Sequence, residues 1–261
     1  MLSDFYSTSI TYNLLAINIK TRSVSTPYDT AVDVACGTGK STEVLSPYFK
    51  NVIGIKRKDI QENYAYRSVG LYNIIYSQGS AEQISCLNNS VQLVTASQSA
   101  HWFELRKFFS ETERVLSPGG VLAIYGYSLP SCTSPHEEIN DRIDHLMKKT
   151  LSDYMPKQSK TLYLDKYNTD DFKSFLFNKE PIQRDETTFV ELKGTITDLA
   201  NYIRSLDTFQ NFESINGQTS AFQLMRTFEN DLMNIVGTNS PDDKELKIIF
   251  NFVLLLGRKP F

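Results

Sequence analysis

The stretch from Asp33 to Gly39, which reads DVACGTG, has the residue types of a ligand-binding turn between a strand and a helix. An apolar run from Thr30 to Val34 precedes it, and Lys40 to Phe49 carries apolar residues at helical spacing after it. Glycine adopts the positive φ that a sharp turn needs and lets a ligand approach the main chain. The following helix directs unpaired N–H groups and the positive end of its dipole at the turn. The stretch therefore predicts a site for an anionic or carboxylate-bearing cofactor.

Three other interpretations of the same stretch compete with this one. A turn that uses glycine for tightness alone occurs in many α/β chains. A nucleotide-phosphate loop would account for Gly39, Lys40 and Ser41, but its first glycine would fall on Val34. A dinucleotide fingerprint would need its third glycine at Thr42. Both motif patterns are therefore incomplete, and the plain turn stays open.

Four stretches, taken in order, resemble the motifs of class I S-adenosylmethionine-dependent methyltransferases. Asp33 to Gly39 resembles the first motif, and Ser80 to Glu82 resembles the adenine-contacting turn after the third strand. Leu93 to Phe103 is similar to the fourth strand and the entry to its helix in the small-molecule, type 11, trans-aconitate methyltransferase-like group. Glu113 to Leu122 matches the motif of a helix end and the fifth strand. The resemblance covers about residues 30 to 127.

This resemblance implies a fold, a cofactor and a set of contacts. The implied fold is a doubly wound, Rossmann-like α/β sheet of seven strands, the last of them antiparallel, with a helical lid. The implied cofactor is S-adenosyl-L-methionine. The residues that occupy the family's cofactor-binding positions are Asp33, Ala35, Gly37, Gly39, Lys56, Ser80, Ala81 and Gln98.

Lys56 departs from the family pattern, in which the second strand usually ends in an acidic residue that binds both ribose hydroxyls. A lysine only donates hydrogen bonds, so we expect weaker or altered cofactor binding. The basic run from Lys56 to Lys58 would also suit the 2′-phosphate of NADP. The third glycine is missing, however, and the chain has no Tyr-x-x-x-Lys pair of the short-chain reductase type. A further alternative is a degenerate methyltransferase-like protein that binds or regulates without catalysis.

His101 and Trp102 are the predicted catalytic residues. The sulfonium already activates the methyl group, so the protein must mainly hold a nucleophile in line with it. A carboxylate acceptor needs no base, whereas an alcohol, phenol or nitrogen must lose a proton, and His101 is the one histidine in a motif position. The alternative role for His101 is to order the loop through a hydrogen bond. Trp102 either walls the acceptor pocket or packs in the core. The predicted acceptor is a small molecule, with a carboxylic acid or other oxygen group as the leading guess.

The rest of the chain alternates short strands and helices, which predicts the sheet that must position these residues. Apolar residues recur at helical spacing from Leu105 to Leu116, and a breaker run from Ser117 to Gly120 is expected to end that helix. The apolar run from Lys247 to Leu256 is too short to cross a bilayer and predicts a buried strand. Other predicted strands are Thr30–Val34, Val52–Ile55, Ile74–Tyr76, Val91–Ala96, Val121–Tyr127 and Thr188–Leu192.

After Pro130 the pattern changes from short strands to helices, which predicts a lid around the edge of the sheet. We expect one domain over residues 1–261, with an N-terminal cover (1–29), a cofactor-binding core (30–127), a mostly helical lid (131–240) and a final strand (245–259). Predicted helices outside the core motifs are Asp59–Tyr66, one opened by the capping box Ser134–Glu137, Asp170–Leu176, one capped at Thr195 and continuing to Leu206, and Ser220–Val236.

Composition and charge narrow the class of partners. The net charge of −3 and the isoelectric point near 5.7 give no general attraction to nucleic acid or to an anionic membrane. Three cysteines without paired spacing favour a reduced, intracellular setting and imply no metal site. The N-terminal residues contain no basic segment followed by an apolar core, so neither a signal peptide nor a membrane span is expected. We therefore expect a cytoplasmic protein, and its oligomeric state stays open.

Overall fold

The structure is a computed structural model that describes residues 28–56, 71–133, 137–173, 176–177 and 180–261. Several sequence predictions lie outside these residues. They are the cover up to residue 27, the helix Asp59–Tyr66, the basic residues Arg57 and Lys58, and the first three residues of the capping box at Ser134.

The first half of the described chain contains the predicted alternation of strands and helices. A short 3₁₀ turn over Ser46–Tyr48 leads into the second strand, and another over Ala100–Trp102 follows the fourth. The elements are β1 (Tyr28–Val34), α1 (Lys40–Leu45), β2 (Phe49–Lys56), β3 (Ile74–Gln78), β4 (Val91–Ser97), α2 (Leu105–Val115) and β5 (Leu116–Tyr127).

The second half holds the lid helices, several short strands and the long final strand. Its elements are β6 (Ser131–Thr133), α3 (Glu137–Ser152), α4 (Lys157–Tyr163), α5 (Asp170–Lys173), β7 (Leu176–Phe177), β8 (Glu180–Pro181), β9 (Gln183–Asp185), β10 (Phe189–Gly194), α6 (Ile196–Ser205), α7 (Asp207–Val236) and β11 (Leu246–Arg258). We keep the name lid for residues 131–240.

The main sheet has the strand order β3-β2-β1-β4-β5-β11-β10. Strands β1 to β5 are parallel to their neighbours, and β11 runs antiparallel to β5 and to β10. This confirms the predicted Rossmann-like α/β sheet with an antiparallel last strand. Parallel strands point their carboxyl ends to one edge, where ligands of such sheets bind.

The strand count is nine rather than the predicted seven. Strand β11 has 13 residues, so each of its edges is long enough to pair with two segments. One edge pairs with β5 through Phe252–Arg258 and with β6 through Lys247–Ile249. The other edge pairs with β10 through Leu246–Asn251 and with β9 through Leu254–Leu256. The two additional strands therefore extend strand positions that were already predicted.

The predicted breaker run from Ser117 to Gly120 lies inside β5 instead of forming a loop. Helix α2 ends at Val115, and the pairing between β4 and β5 shifts register there. Gly119 has a φ of +79°, and its N–H donates to the carbonyl of Lys259 at 2.8 Å. The chain after β11 therefore draws the glycine pair into the sheet as an irregular strand.

Two lid helices also differ from their predicted limits. The predicted helix Ser220–Val236 is the second part of α7, which has 30 residues. Gly217 interrupts α7 with a φ of 82° and a ψ of 162°, and the part before it contributes buried Phe209 and Phe212. Helix α5 ends at Lys173, so the prediction of helix as far as Leu176 was wrong. Gly217 sets the first of these limits, and the second concerns a helix of only four residues; apolar spacing predicts neither limit.

Two apolar clusters pack on opposite faces of the sheet. Alternate residues of β5 divide between them, with Ala123 in the cluster that includes α3, α6 and α7 and Ile124 in the one that includes α2. Helix α4 packs on the 3₁₀ turn after β4 and on β5, which places lid residues beside the carboxyl edge. No helix in the described ranges combines the length and apolar character that a membrane span requires.

Candidate functional site

A cleft of about 470 Å³ opens at the carboxyl ends of β1, β4 and β5. This volume lies in the range typical of small-molecule sites, about 300 to 1,000 Å³. One wall is the turn after β1, another is the end of β4, and the third is aromatic. The described lining residues are Ala35, Cys36, Gly37, Thr38, Lys40, Ser41, Ser97, Gln98, Ser99, Tyr125, Gly126, Tyr127 and Phe252.

The turn after β1 adopts left-handed backbone conformations at three alternate residues. Ala35 has a φ of 55°, Gly37 of 54° and Gly39 of 88°. A left-handed alanine is strained, and such strain is found most often at functional sites. A Cβ added to Gly37 would meet no atom of the described residues within 4 Å, so the main chain there borders open space among them. A ligand can therefore approach the turn at Gly37, as the sequence predicts.

Asp33 holds this turn from behind. Its side chain is fully buried, and its carboxylate accepts hydrogen bonds from the hydroxyls of Ser41 and Thr42 at 2.7 Å and of Thr95 at 2.8 Å. Burial raises the pKa of Asp33, while the three hydroxyl donors oppose that rise. Asp33 is absent from the described cleft lining. Its hydrogen bonds connect β1 with α1 and β4, so its role is to hold the turn in place.

Gln98 and Ser99 present unpaired polar groups at the end of β4. Gln98 has a φ of 50°, and its backbone N–H donates to the carbonyl of Tyr125 at 2.9 Å. Both atoms of its buried side-chain amide, and the buried hydroxyl of Ser99, lack a hydrogen bond of ordinary geometry within the part of the chain that the structure describes. Buried polar groups are normally paired because an unpaired one costs about 1 to 3 kcal/mol. These groups therefore fit a polar ligand that would complete them.

Three further predicted cofactor residues lie near the turn but outside the cleft lining. Lys56 is buried at the end of β2, and its carbonyl accepts a hydrogen bond from the N–H of Gly79 at 3.0 Å. Ser80 is exposed and forms an isolated bridge with Gln83, while Ala81 is buried in the α2 side of the core. Their roles as cofactor contacts stay predictions.

Gly39 serves the packing of the turn. A Cβ on Gly39 would collide with the side chain of Tyr76, whose hydroxyl donates to the Gly39 carbonyl at 3.4 Å. Together with a φ of 88°, this contact excludes larger residues here. Gly39 therefore shapes the turn, whereas Gly37 leaves room for a ligand.

His101 lies beside the cleft and contacts the lid. Its Nδ1 is 3.0 Å from the hydroxyl of Tyr167, which is buried. Burial lowers the pKa of His101 to about 4, and the nearby Asp207 carboxylate opposes that change. Trp102 is 48% exposed, and its ring centroid is 5.4 Å from that of His101. Neither side chain belongs to the described cleft lining, so their catalytic roles stay predictions.

The aromatic wall of the cleft, formed by Tyr125, Tyr127 and Phe252, was not predicted from the sequence. Tyr125 and Tyr127 stand at the end of β5, and their position after an apolar strand run was a usable signal. Phe252 enters the wall because β11 runs antiparallel and pairs it with Tyr127. No local pattern around Phe252 indicates that register.

Similar proteins support one class for this fold and cleft. A family model described as a methyltransferase domain matches residues 32–124. A protein of Dictyostelium discoideum that bears a methyltransferase name is 28% identical over 231 residues, 88% of this chain and 82% of the relative. The probable S-adenosylmethionine-dependent methyltransferase CRG1 of Saccharomyces cerevisiae is 30% identical over 131 residues, 48% of this chain and 44% of the relative.

Solved structures show the same fold. A structure from Anaeromyxobacter dehalogenans, described as that of a type II methyltransferase, superposes with a TM-score of 0.68 at 21% identity, covering 90% of this chain and 93% of the other. The YcgJ protein of Bacillus subtilis superposes with a TM-score of 0.54 at 17% identity, covering 96% and 99%.

The described chain has a Rossmann-like α/β fold with a cleft at the carboxyl edge of its parallel sheet, the edge where ligands of such sheets bind. The family match extends this to the chemistry. The methyltransferase domain match and the methyltransferase relatives support a class I S-adenosylmethionine-dependent methyltransferase, the class predicted from the four motif stretches.

Proposed function

We propose that this methyltransferase acts in the cytoplasm and methylates an oxygen of a small molecule, with a carboxylate as the preferred acceptor. The observation that carries the proposal is the composition of the cleft lining. Among the described lining residues there is no histidine, aspartate or glutamate, while Gln98 and Ser99 offer unpaired neutral groups. Because such a lining offers no carboxylate or imidazole base, it suits an acceptor that is already ionised when it binds.

The bound cofactor supplies a methyl group on a sulfonium, which is already activated toward a nucleophile. The protein's part is to hold the acceptor in line and to exclude water. Burial raises the pKa of Cys36 to about 12, so its thiol stays protonated near neutral pH. Burial also raises the pKa of Tyr127. Neither group accepts a proton readily, whereas a carboxylate is ionised at neutral pH without help.

For the cofactor, we propose the predicted set of contacts around the turn. Ala35 and Gly37 border the open space directly, and Asp33 and Gly39 fix the conformation of the turn. Lys56 is the proposed ribose-side contact. If the ribose pocket is otherwise of the usual kind, Lys56→Asp tightens S-adenosylmethionine binding, and weaker binding means that the lysine has been recruited.

His101 and Trp102 remain candidates for an acceptor that must lose a proton. A base at His101 would use Nε2, because Nδ1 contacts the hydroxyl of Tyr167. With its pKa near 4, His101 is neutral at pH 7 but a weak base. These facts favour a role in ordering the loop after β4 and support a carboxylate acceptor.

The first test is a calorimetric titration with S-adenosylmethionine, its demethylated product S-adenosylhomocysteine, and NADPH in parallel. Micromolar binding of the first two supports a working methyl-donor site despite Lys56. Binding of neither by the folded protein supports the degenerate binding-protein alternative. A response to NADPH alone would support an oxidoreductase.

The second test identifies the acceptor atom. The protein is incubated with S-adenosylmethionine that carries a tritiated methyl group and with carboxylic acids, phenols or amines in separate reactions. A methyl ester releases volatile methanol in alkali, whereas a methyl ether or methylamine does not. We expect alkali-labile label with carboxylic acids, and stable label alone would contradict the carboxylate proposal.

A further inference from the structure

The side chain of Gln98 lies against β5. A Cβ added to Gly126 would lie 2.8 Å from the Gln98 side-chain oxygen, so the amide rests directly over this glycine. Gly126 also lies beside Leu162 of α4, at the same distance from a Cβ added there. The amide thus lies between β5 and the lid helix α4, where it also faces the hydroxyl of Tyr127.

Aromatic rings form a backed wall of the cleft. Tyr127 and Phe252 are register partners on β5 and β11, with ring centroids 5.3 Å apart and an interplanar angle of 69°. Behind Tyr127 stands buried Phe250, also at 5.3 Å and nearly perpendicular to it. Tyr202 of α6 packs on Phe250 in turn. The wall is therefore held from behind and presents a fixed apolar surface to the cleft.

We infer that Gln98, Tyr127 and Phe252 form the acceptor subsite, and that it selects a monocarboxylate with a flat apolar body. This inference rests on the proposed function and adds the recognition elements to it. It assigns Gln98, which the sequence predicted as a cofactor contact, to the acceptor instead. The Gln98 amide donates to one carboxylate oxygen, and the aromatic wall contacts the body of the acceptor.

The neutrality of the donor matters for the chemistry. A guanidinium would bind both oxygens of a carboxylate and withdraw electron density from the attacking one. A primary amide binds one oxygen without neutralising its charge, which leaves the other free to attack the methyl carbon. In that step the new bond forms between the carboxylate oxygen and the methyl carbon. The bond from carbon to sulfur breaks, its electron pair stays on sulfur, and no proton moves. The products are a methyl ester and S-adenosylhomocysteine.

The test separates the acceptor subsite from the cofactor site. Benzoate and cinnamate are the flat probes, and cyclohexanecarboxylate is the probe with the same head group and a puckered body. Ester formation is followed with tritiated S-adenosylmethionine, and the Kd of S-adenosylhomocysteine is measured for each variant by calorimetry. We expect the wild-type protein to prefer the flat probes over cyclohexanecarboxylate by about two- to tenfold, the preference that a flat aromatic contact supplies.

Gln98→Leu removes the amide at nearly constant volume. We expect the acceptor KM to rise by about 10- to 100-fold, because a hydrogen bond to a charged group is lost, with the Kd of S-adenosylhomocysteine unchanged within about twofold. The matched control is Gln223→Leu, which removes an exposed amide on α7 and should change neither value. Gly126→Ala keeps the amide but displaces it, so it should also raise the acceptor KM while sparing cofactor binding.

Phe252→Leu tests the flat wall. It keeps an apolar side chain and should reduce the preference for flat probes without changing the Kd of S-adenosylhomocysteine. The inference is overturned if the wild type binds S-adenosylhomocysteine yet esterifies none of the three acids, or if Gln98→Leu leaves the acceptor KM unaltered. It is also overturned if Gln98→Leu weakens S-adenosylhomocysteine binding to the same degree as the acceptor. Failure to bind S-adenosylhomocysteine in the wild type would instead contradict the proposed function itself.

Discussion

The cleft and the lid both contain left-handed residues other than glycine, but these residues have different surroundings. In the lid, Tyr167 has a φ of 58° and is buried, with its hydroxyl beside His101. Its neighbour Lys166 has a φ of 50°, and its carbonyl accepts a hydrogen bond from Arg184 at 2.7 Å. In the cleft, Gln98 is equally strained, yet its side-chain amide has no hydrogen-bond partner of ordinary geometry in the described chain.

This difference indicates that strained residues have one role in the lid and another in the cleft. Lid strain is offset by protein contacts, so it serves to dock the lid on the turn after β4. At the cleft, Gln98 keeps a backbone hydrogen bond to Tyr125, but its side-chain amide has no hydrogen bond of ordinary geometry to a described residue, and Gln98 and Ala35 both line the cleft. A ligand that pairs with this amide would supply that hydrogen bond. A change at the cleft, paired with a similar change in the lid, tests this contrast.

Asp33→Ala should have the largest effect. It removes the carboxylate that accepts from three hydroxyls, two of which, those of Thr42 and Thr95, are buried. We expect a loss of about 4 kcal/mol in the free energy of unfolding, measured by urea denaturation. The lid control is Asp198→Ala, which breaks the capping box with Thr195 and should cost about 1 kcal/mol. Equal losses from the two variants would contradict the central role of Asp33 in the turn.

The pH dependence of stability tests the contact between His101 and the lid. Because the pKa of His101 is about 4 in the folded protein and 6.5 as its ordinary value, the unfolded state binds the proton first on acidification. The associated stability is fully present above pH 6.5 and is lost as pH falls toward 4, by about 3 kcal/mol in total. His101→Gln should flatten this part of the pH profile, whereas His145→Gln, on an exposed face of α3, should not. A wild-type stability that is constant between pH 6.5 and 4 would contradict the buried state of His101.

The same variant bears on catalysis. If the acceptor is a carboxylate, His101→Gln retains turnover near neutral pH after correction for the folded fraction. Loss of turnover with the fold and the cofactor Kd intact would restore His101 as a base.

The last comparison pairs a glycine of the cleft with a glycine of the lid, and cofactor affinity is the quantity that distinguishes them. Gly37 in the cleft and Gly217 in the lid both have positive φ, and a Cβ added to either meets no described residue within 4 Å. Alanine should destabilise Gly37 by about 1 to 2 kcal/mol and Gly217 by more, about 2 to 3 kcal/mol, because a φ of 82° with a ψ of 162° lies in a region essentially confined to glycine. Only Gly37→Ala should weaken S-adenosylmethionine binding, by about tenfold or more, because its methyl group enters the ligand space. Calorimetry and urea denaturation of both variants check this, and equal cofactor affinity would show that Gly37 is needed for its conformation alone.

Sequence reasoning succeeded where local chemistry sets the structure. The glycine turn after β1, the helical period of α2 and the capping box at Thr195 each depend on residues a few positions apart. The motif stretches were enough to indicate the class of enzyme and its cofactor. It failed at Ser117–Gly120, because pairing with the end of β11 overrides a local breaker signal.

The side of the site that faces the acceptor was decided by tertiary structure. The turn residues Ala35 and Gly37 were identifiable because the turn is continuous in sequence. Phe252 joins Tyr127 only through the antiparallel register of a strand more than 100 residues later, and His101 meets Tyr167 only because α4 docks on β5. Local propensity and motif spacing therefore determined the fold class and the cofactor turn. Long-range pairing and packing, which no short window of sequence contains, determined what surrounds the acceptor.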